Sequence, residues 1–114
     1  MTGSLAPEPR GGEPTRAEVD SFAAPLLVEF GAVWCGHCQR ARPLLDDALA
    51  RHPEIHHLRV EDGPGRRLGR SFRVKLWPTL VFMHRGVEVA RLVRPIDIQE
   101  IDAAIERLRR ACQA

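Results

Sequence analysis

The spacing of apolar residues changes along the chain, and each change marks the end of a predicted element. The continuous run Leu26–Gly31 is typical of a buried central strand, although Glu29 interrupts it. From Cys35 to about Arg51 the apolar positions follow helical spacing instead. Pro43 lies inside this second segment and should kink the helix, because proline has no N–H to donate. The sequence therefore predicts a buried strand that leads into a kinked helix.

The rest of the chain predicts further helices and strands on both sides of this unit. Thr15 and Glu18 have the spacing of a capping box, as do Asp97 and Glu100. Strands that alternate with helices and then form a hairpin indicate an α/β fold, a mixed sheet with helices on both faces. The further elements are a helix from Thr15 through Phe22, a strand at Ile55–Val60, a helix at Arg66–Phe72, a hairpin of Leu80–Met83 and Val87–Val93, and a helix after Asp97.

Length and composition fit one globular domain that follows a short arm. The chain has 114 residues, of which 44% are hydrophobic and 28% charged, as in an ordinary globular protein. Residues 1–14 contain three prolines and three glycines and predict a disordered or extended arm. Residues 15–114 are then the folded domain.

Net charge, hydropathy and cysteine content restrict the partners and the location that we expect. A net charge of +2 gives no reason to expect nucleic acid or a membrane surface as a partner. No apolar run approaches the roughly 20 residues that span a bilayer, and residues 1–14 lack the apolar region of a secretory signal. Three cysteines, an odd number, do not fit a secreted disulfide framework. We therefore expect a cytoplasmic location.

Cys35 and Cys38 carry the chemistry that the sequence suggests. The first cysteine lies where the strand gives way to the helix, and free N–H groups at a helix N-terminus favour an anion there. Its thiol pKa should fall, which makes a nucleophilic thiolate available near neutral pH. The second cysteine follows one turn later, within reach of a disulfide. This arrangement is typical of a thiol–disulfide active site.

The same cysteine pair is also half of a structural zinc site, which is the alternative interpretation. The missing ligands would have to come from the five histidines or from Cys112, and no second pair of ligands has zinc spacing. We therefore expect no metal and no other cofactor.

Glu29 needs a physical explanation because it lies within an apolar strand. A charged carboxylate buried without a partner costs several kcal/mol. The residue should therefore have a raised pKa, a partner or a function. The alternative is that Glu29 points to the sheet edge or to solvent, where most charged residues lie.

Taken together, these features resemble the thioredoxin superfamily over about residues 15–112. They are an acidic strand residue six positions before the first cysteine, a tryptophan directly before it, a helix proline eight positions after it, and Trp77-Pro78-Thr79 ahead of the hairpin. The stretch Glu29–Cys38 is more similar to protein disulfide isomerase domains than to ordinary thioredoxins. The resemblance implies a thioredoxin fold with a sheet of four or five strands, since the N-terminal arm offers no clear first strand.

The resemblance also implies roles for individual residues. Cys35 would be the exposed attacking thiol, and Cys38 the buried thiol that resolves the mixed disulfide. Glu29 would carry a proton to or from Cys38. Pro78 would follow a cis peptide bond, and the backbone of Trp77 would pair with the substrate chain.

Arg94 stands where the family usually has a glycine on its flat docking surface. Together with Trp77, it is expected to favour substrates that carry an acidic or aromatic residue near the disulfide. The residues predicted to face the substrate are Trp34, Gly36, Trp77, Pro78, Thr79 and Arg94.

His37 and the surroundings of Glu29 depart from the family pattern. A His37 imidazolium near Cys35 would stabilise the thiolate and make the disulfide more oxidising than one with Gly-Pro between its cysteines. The alternative is that His37 only fills an exposed helix position. The family places a lysine beside the acid, so Arg59 is expected to replace it here, or Glu29 to be protonated.

The predicted function is that of an enzyme, a protein thiol–disulfide oxidoreductase. The resemblance implies protein substrates with disulfides or thiols, and a thioredoxin reductase or another thiol partner that recycles the enzyme. The chain is expected to act as a monomer. The alternative is a thioredoxin-like binding or co-chaperone module with little turnover.

Overall fold

The computed structural model describes residues 13–113, so the predicted arm lies almost wholly outside the described residues. All eight predicted elements occur in the predicted order, with ends displaced by at most two residues. They are α1 (Arg16–Asp20), β1 (Leu26–Gly31), α2 (Gly36–Ala50), β2 (His56–Glu61), α3 (Arg67–Ser71), β3 (Thr79–His84), β4 (Val87–Val93) and α4 (Ile98–Gln113).

The strands form one mixed sheet in the order β2-β1-β3-β4. Strand β2 is parallel to β1, whereas the β1–β3 and β3–β4 pairs are antiparallel. Of the four or five strands that the resemblance implies, four are present within residues 13–113. Strand β1 is interior and almost entirely buried, as its continuous apolar run predicts.

Successive side chains of β1 supply two cores, one on each face of the sheet. Leu26, Val28 and Phe30 pack with residues of α1, α3 and the neighbouring strands. Leu27 packs on the other face, with residues of α2 and α4. Since strand residues alternate, Glu29 lies on the same face as Leu27, the face that α2 covers.

Local side-chain signals fix the helix starts. The Thr15 hydroxyl accepts from the Glu18 N–H at 3.1 Å, and the Glu18 carboxylate accepts from the Thr15 N–H at 2.8 Å, so the predicted capping box is present. At α4, Asp97 accepts from the backbone N–H of Gln99. Glu100 bonds to the N–H of Ile96 and not to that of Asp97, so the second predicted box is displaced by one residue.

The β3–β4 hairpin turns through Arg85 and Gly86, both with positive φ (50° and 81°). Two residues with positive φ are the pattern of a type I′ hairpin turn. A Cβ on Gly86 would lie 2.9 Å from the Asp20 carbonyl oxygen, so this glycine is also needed for the close approach of α1.

Strand register brings three separate segments to one end of the sheet. Phe30 at the end of β1 pairs with Thr79 at the start of β3. Thr79 also pairs with Val93 at the end of β4. The loop that leads into α2, the loop before β3 and the residues after β4 therefore meet at this end. No helix within residues 13–113 is long and apolar enough to cross a membrane.

Replacing Phe82 by alanine should lower the free energy of unfolding by about 3–5 kcal/mol, because it leaves a large cavity at a fully buried position. The matched control is Val87→Ala on the other strand of the hairpin, where the side chain is 62% exposed and the change should stay within about 0.5 kcal/mol. Denaturant unfolding of the reduced protein measures both. Equal losses for the two variants would contradict the placement of the core.

Candidate active site

Cys35 is the N-cap residue of α2, and its sulfur takes the place of a capping oxygen. Its backbone is extended (φ −79°, ψ 118°), and its Sγ accepts from the Cys38 backbone N–H at 3.4 Å. Only 6% of Cys35 and 2% of Cys38 is exposed, since both pack with Ala32 and Trp77. The expectation of an exposed attacking thiol is therefore wrong in degree: Cys35 is the more accessible of the two cysteines but is largely covered.

The surroundings of the two thiols push their pKa values in opposite directions. Burial raises the pKa of Cys35, but hydrogen bonds from the Cys38 thiol and from the backbone N–H groups of Cys38 and His37, with the charge of Arg94, bring the net value below that of an ordinary thiol. Burial first, and the hydrogen bond to Cys35 second, raise the pKa of Cys38 to about 11. Cys35 is therefore the thiol that ionises first.

The loop before β3 approaches Cys35 from the other side. The Trp77–Pro78 peptide bond is cis, as the resemblance implies. The Trp77 carbonyl oxygen lies 3.8 Å from the Cys35 sulfur, which donates to it. Pro78 and Thr79 are buried, and the Thr79 hydroxyl donates to the Leu76 carbonyl at 2.6 Å. Both residues shape the loop from beneath and do not offer an open surface.

Arg94 binds the carbonyl groups of this loop. Its backbone N–H donates to the Pro78 carbonyl at 2.9 Å, and its side-chain Nε donates to the Trp77 carbonyl at 2.9 Å. Its φ of 53° lies in the left-handed region, which costs a non-glycine residue roughly 1 kcal/mol. The two hydrogen bonds offset that cost and place a cation next to Cys35.

Two tryptophans border the cysteine pair. Trp34 is 70% exposed and meets Trp77 edge to face, with ring centroids 5.4 Å apart. The Trp77 indole donates to the Asp62 carboxylate at 2.9 Å. Gly36 is exposed at the first position of α2. Sequence reasoning missed Asp62, which lies in a turn-rich loop and gives no local sign of a partner 15 residues away.

Glu29 is buried beneath the site, with 2% of its surface exposed, so the alternative of a sheet edge or solvent position is wrong. Its carboxylate lies 2.7 Å from His57 Nε2 and accepts from Arg42 at 3.3 Å and from Arg59 at 3.4 Å. Burial raises the pKa of Glu29, but the hydrogen bond and charge of His57 and the two arginine charges outweigh it and hold the net pKa below the usual glutamate value. Glu29 is therefore an ionised partner, and the alternative of a protonated acid is wrong.

The expected partner Arg59 is present, but sequence reasoning missed the other two. Arg59 pairs with Glu29 across the β1–β2 register, and His57 lies two positions earlier on the same face of β2. Arg42 follows Cys38 by four residues, so it lies one helical turn further along α2. The two-residue spacing of His57 and Arg59 places both side chains on one face of β2. Only the register of β2 against β1 shows that this face carries Glu29.

The surroundings of the His37 imidazole disfavour the expected positive charge. The ring is exposed, and Arg40 donates to its Nδ1 at 2.9 Å. Slight desolvation and the charges of Arg94 and Arg40 lower the pKa of His37, which favours the neutral ring at neutral pH. The contribution of His37 to the Cys35 thiolate comes from its backbone N–H, and Arg94 provides the cation.

Gly31 makes room for the second sulfur. A Cβ at this position would lie 2.7 Å from the Cys38 Sγ, closer than real Cβ contacts come. Beside it, a cavity of about 180 Å³ is lined by Glu29, Arg42 and Arg59, among other residues. The last residue of β1 therefore adapts the strand to the packing of Cys38.

Potential metal ligands do not gather elsewhere in the described part of the chain. Among residues 13–113, no three His, Cys, Asp or Glu side chains lie close enough to hold one metal ion. Cys112 is half-buried on α4, where it packs against the core on the α2 face. Burial raises the pKa of its thiol, so it lacks the activation seen at Cys35.

A capped low-pKa cysteine, a buried second thiol and a cis-proline loop together define a dithiol–disulfide redox site. The thioredoxin family model matches residues 13–107, and the chain belongs to the thioredoxin family. The structure is similar to that of thioredoxin 2 from Pseudomonas aeruginosa PAO1 in its reduced form. The TM-score is 0.77 and the identity 57%, with 87% of this chain and 92% of that chain covered.

Curated relatives match over parts of their lengths. Thioredoxin H2-1 from Oryza sativa subsp. japonica is 31% identical over 84 residues, which cover 74% of this chain and 60% of the rice protein. Human protein disulfide-isomerase A2 is 45% identical over 65 residues, which cover 54% of this chain and 12% of that protein. The matched part of this chain therefore spans less than two thirds of the length of each of these two relatives.

Glu29→Gln should lower the free energy of unfolding by about 2 kcal/mol at neutral pH, because it removes a buried anion from two arginines and from its hydrogen bond with His57. Because the folded-state pKa of Glu29 is lowered, its contribution is complete above the ordinary glutamate value of 4.5 and is lost as pH falls through the lowered value. The difference between wild type and variant should therefore shrink in acid. Denaturant unfolding across this pH range measures it.

The matched control is Glu88→Gln, which breaks a surface pair with Arg91. This change should cost less than about 1 kcal/mol. An effect of Glu29→Gln that is no larger than that of the control, or that does not shrink as pH falls below 4.5, would contradict the ionised state of Glu29.

Proposed function

We propose that this protein is a thiol–disulfide oxidoreductase that exchanges the Cys35–Cys38 dithiol with disulfides of protein substrates. The observation that carries the proposal is the unequal environment of the two sulfurs. Cys35 accepts a helix N–H and lies beside a cation, whereas Cys38 is buried with a pKa raised to about 11. Cys35 is therefore the thiol that attacks the substrate, and Cys38 is the thiol that attacks the mixed disulfide afterwards.

In the first step the Cys35 thiolate attacks one sulfur of the substrate disulfide. A mixed disulfide forms, and the other substrate sulfur leaves as a thiolate. Cys38 then loses its proton and attacks the Cys35 sulfur, which forms the Cys35–Cys38 disulfide and releases the second substrate thiol. Two electrons pass to the substrate, which ends as a dithiol. All steps are reversible, so the redox potential and the recycling partner set the direction.

We propose that Glu29 accepts the proton that Cys38 loses. Burial and the hydrogen bond to Cys35 raise the pKa of Cys38 most, and the charge of Glu29 raises it further. A cavity of about 180 Å³ lies next to Glu29 and is also lined by Gly31, Arg42 and Arg59. The ionised carboxylate is the form that can accept this proton, but the contacts that lower its pKa also make it a weak base, so the proton transfer has to accompany the attack of Cys38 on the mixed disulfide.

The proposal also covers the recycling partner, the oligomeric state and the location of the protein. We propose that a thioredoxin reductase or another thiol partner recycles the disulfide, and that the protein acts as a monomer in the cytoplasm. The alternative of a binding module without turnover is not favoured, because both cysteines are in place for exchange and their pKa values differ in the useful direction.

The function is tested by trapping. Wild-type protein with dithiothreitol should reduce the interchain disulfides of insulin, and Cys38→Ser should instead accumulate a mixed disulfide at Cys35, because the resolving thiol is missing. Mass spectrometry of the trapped complex identifies the linked cysteine. The matched control is Cys35→Ser, which should form little adduct because the buried Cys38 thiol is a poor nucleophile at neutral pH.

Absence of insulin reduction by the wild type would contradict the enzymatic proposal and would favour a binding module. Equal trapping by Cys35→Ser would contradict the assigned order of attack.

A further inference from the structure

A groove next to the cysteine pair shares Arg94 with the active site, but its apolar side has no role in the chemistry described so far. It encloses about 470 Å³ and lies between the first turns of α2 and the segment after β4. We name it the Arg94 groove, and its lining residues are His37, Arg40, Leu44, Arg94, Pro95 and Ile96.

The polar side of the groove is cationic. Among residues 13–113, no carboxylate forms an ion pair with Arg40 or Arg94, although seven other arginines of this region do have such partners. The acids that follow the groove in sequence, Asp97 and Glu100, accept backbone N–H groups at the start of α4. The groove therefore presents two guanidinium groups that form no ion pair with a described carboxylate, while the negative charge of Glu100 lies at the edge of the groove, where its carboxylate accepts from the Ile96 N–H.

The other side of the groove is apolar. Ile96 is 88% exposed and Leu44 is half-buried, so a hydrocarbon surface faces solvent next to the two cations. A small inorganic anion would leave this surface uncovered. A polypeptide segment that carries a carboxylate would cover the apolar wall and pair with the guanidinium groups at once.

Arg94 in the groove and the Cys35 sulfur share one hydrogen-bond acceptor. The Trp77 carbonyl accepts from Arg94 Nε at 2.9 Å and from the Cys35 sulfur at 3.8 Å. A segment seated against Arg94 therefore lies within a residue or two of the disulfide that Cys35 attacks.

We propose that the Arg94 groove selects protein substrates that carry an acidic residue close to their disulfide. The inference rests on the proposed disulfide exchange and names its preferred substrate class. Arg94 acts as the specificity-determining residue, and Arg40 adds a second cation. Charge complementarity of this kind acts mainly on selectivity and on the rate of encounter.

The test compares two disulfide-bonded peptides that differ in one residue next to a cysteine, glutamate in the first and lysine in the second. The ratio of their kcat/KM values with wild-type protein and dithiothreitol reports the preference and is insensitive to changes in thiolate reactivity. The wild type should favour the glutamate peptide, and Arg94→Gln should reduce the ratio by about fivefold, the size expected for an exposed ion pair. The preference should also shrink as salt is added.

Further variants separate the charge of Arg94 from its hydrogen bonds. Arg94→Lys should retain most of the ratio. Arg40→Gln, which leaves the Trp77 contacts intact, should reduce it in the same direction as Arg94→Gln. The matched control is Arg85→Gln, which removes an arginine with positive φ from the distant β3–β4 turn and should leave the ratio unchanged.

A ratio that is the same in wild type, Arg94→Gln and Arg40→Gln would overturn the inference while leaving disulfide exchange intact. A ratio that Arg85→Gln lowers as much as Arg94→Gln would assign the preference to net charge and would also overturn it. Failure of the wild type to reduce either peptide would instead contradict the proposed function.

Discussion

The site depends on one interaction, the hydrogen bond from the Cys38 backbone N–H to the Cys35 sulfur at the start of α2. A helix N-terminus has N–H groups without internal partners, and they stabilise whichever acceptor lies there as an anion. In this chain the acceptor is a thiol, so the contact that caps the helix also helps to activate the nucleophile, together with hydrogen bonds from the Cys38 thiol and the His37 N–H and with the charge of Arg94. The position of Cys35 follows from the short connection between β1 and α2, and the sheet register brings the cis-proline loop to the same place.

Burial and hydrogen bonds separate the acidities of the two thiols, and charges of opposite sign add to the separation. Against the effect of burial, hydrogen bonds from Cys38 and from the His37 N–H lower the pKa of Cys35, and the charge of Arg94 lowers it further. Burial and the hydrogen bond to Cys35 raise the pKa of Cys38, and the charge of Glu29 raises it further. Each charged group is fixed by its own contacts, Arg94 by the carbonyls of the cis-proline loop and Glu29 by His57 and two arginines. Environments that push two titratable groups apart assign them different roles in catalysis.

Sequence alone was sufficient for the order of the elements and for the cysteine pair, because these depend on local signals. The apolar run before Cys35 and the Thr15 capping box are of this kind. It was insufficient for the partners of Glu29, since His57 reaches the carboxylate only through the pairing of β1 with β2. It also assigned the activating charge to His37, the cation nearest in sequence. The structure instead provides Arg94, which the register of β3 and β4 places beside Cys35.

The central claim is that the two thiols of the reduced site differ strongly in acidity. Titration of each cysteine by NMR, followed through its Cβ chemical shift in the reduced wild-type protein, tests the claim directly. Cys35 should ionise at a lower pH than an ordinary thiol, and Cys38 should remain protonated until the pH approaches its raised pKa of about 11. Ionisation of Cys38 before Cys35, or of both thiols at the value of a free cysteine, would contradict the account.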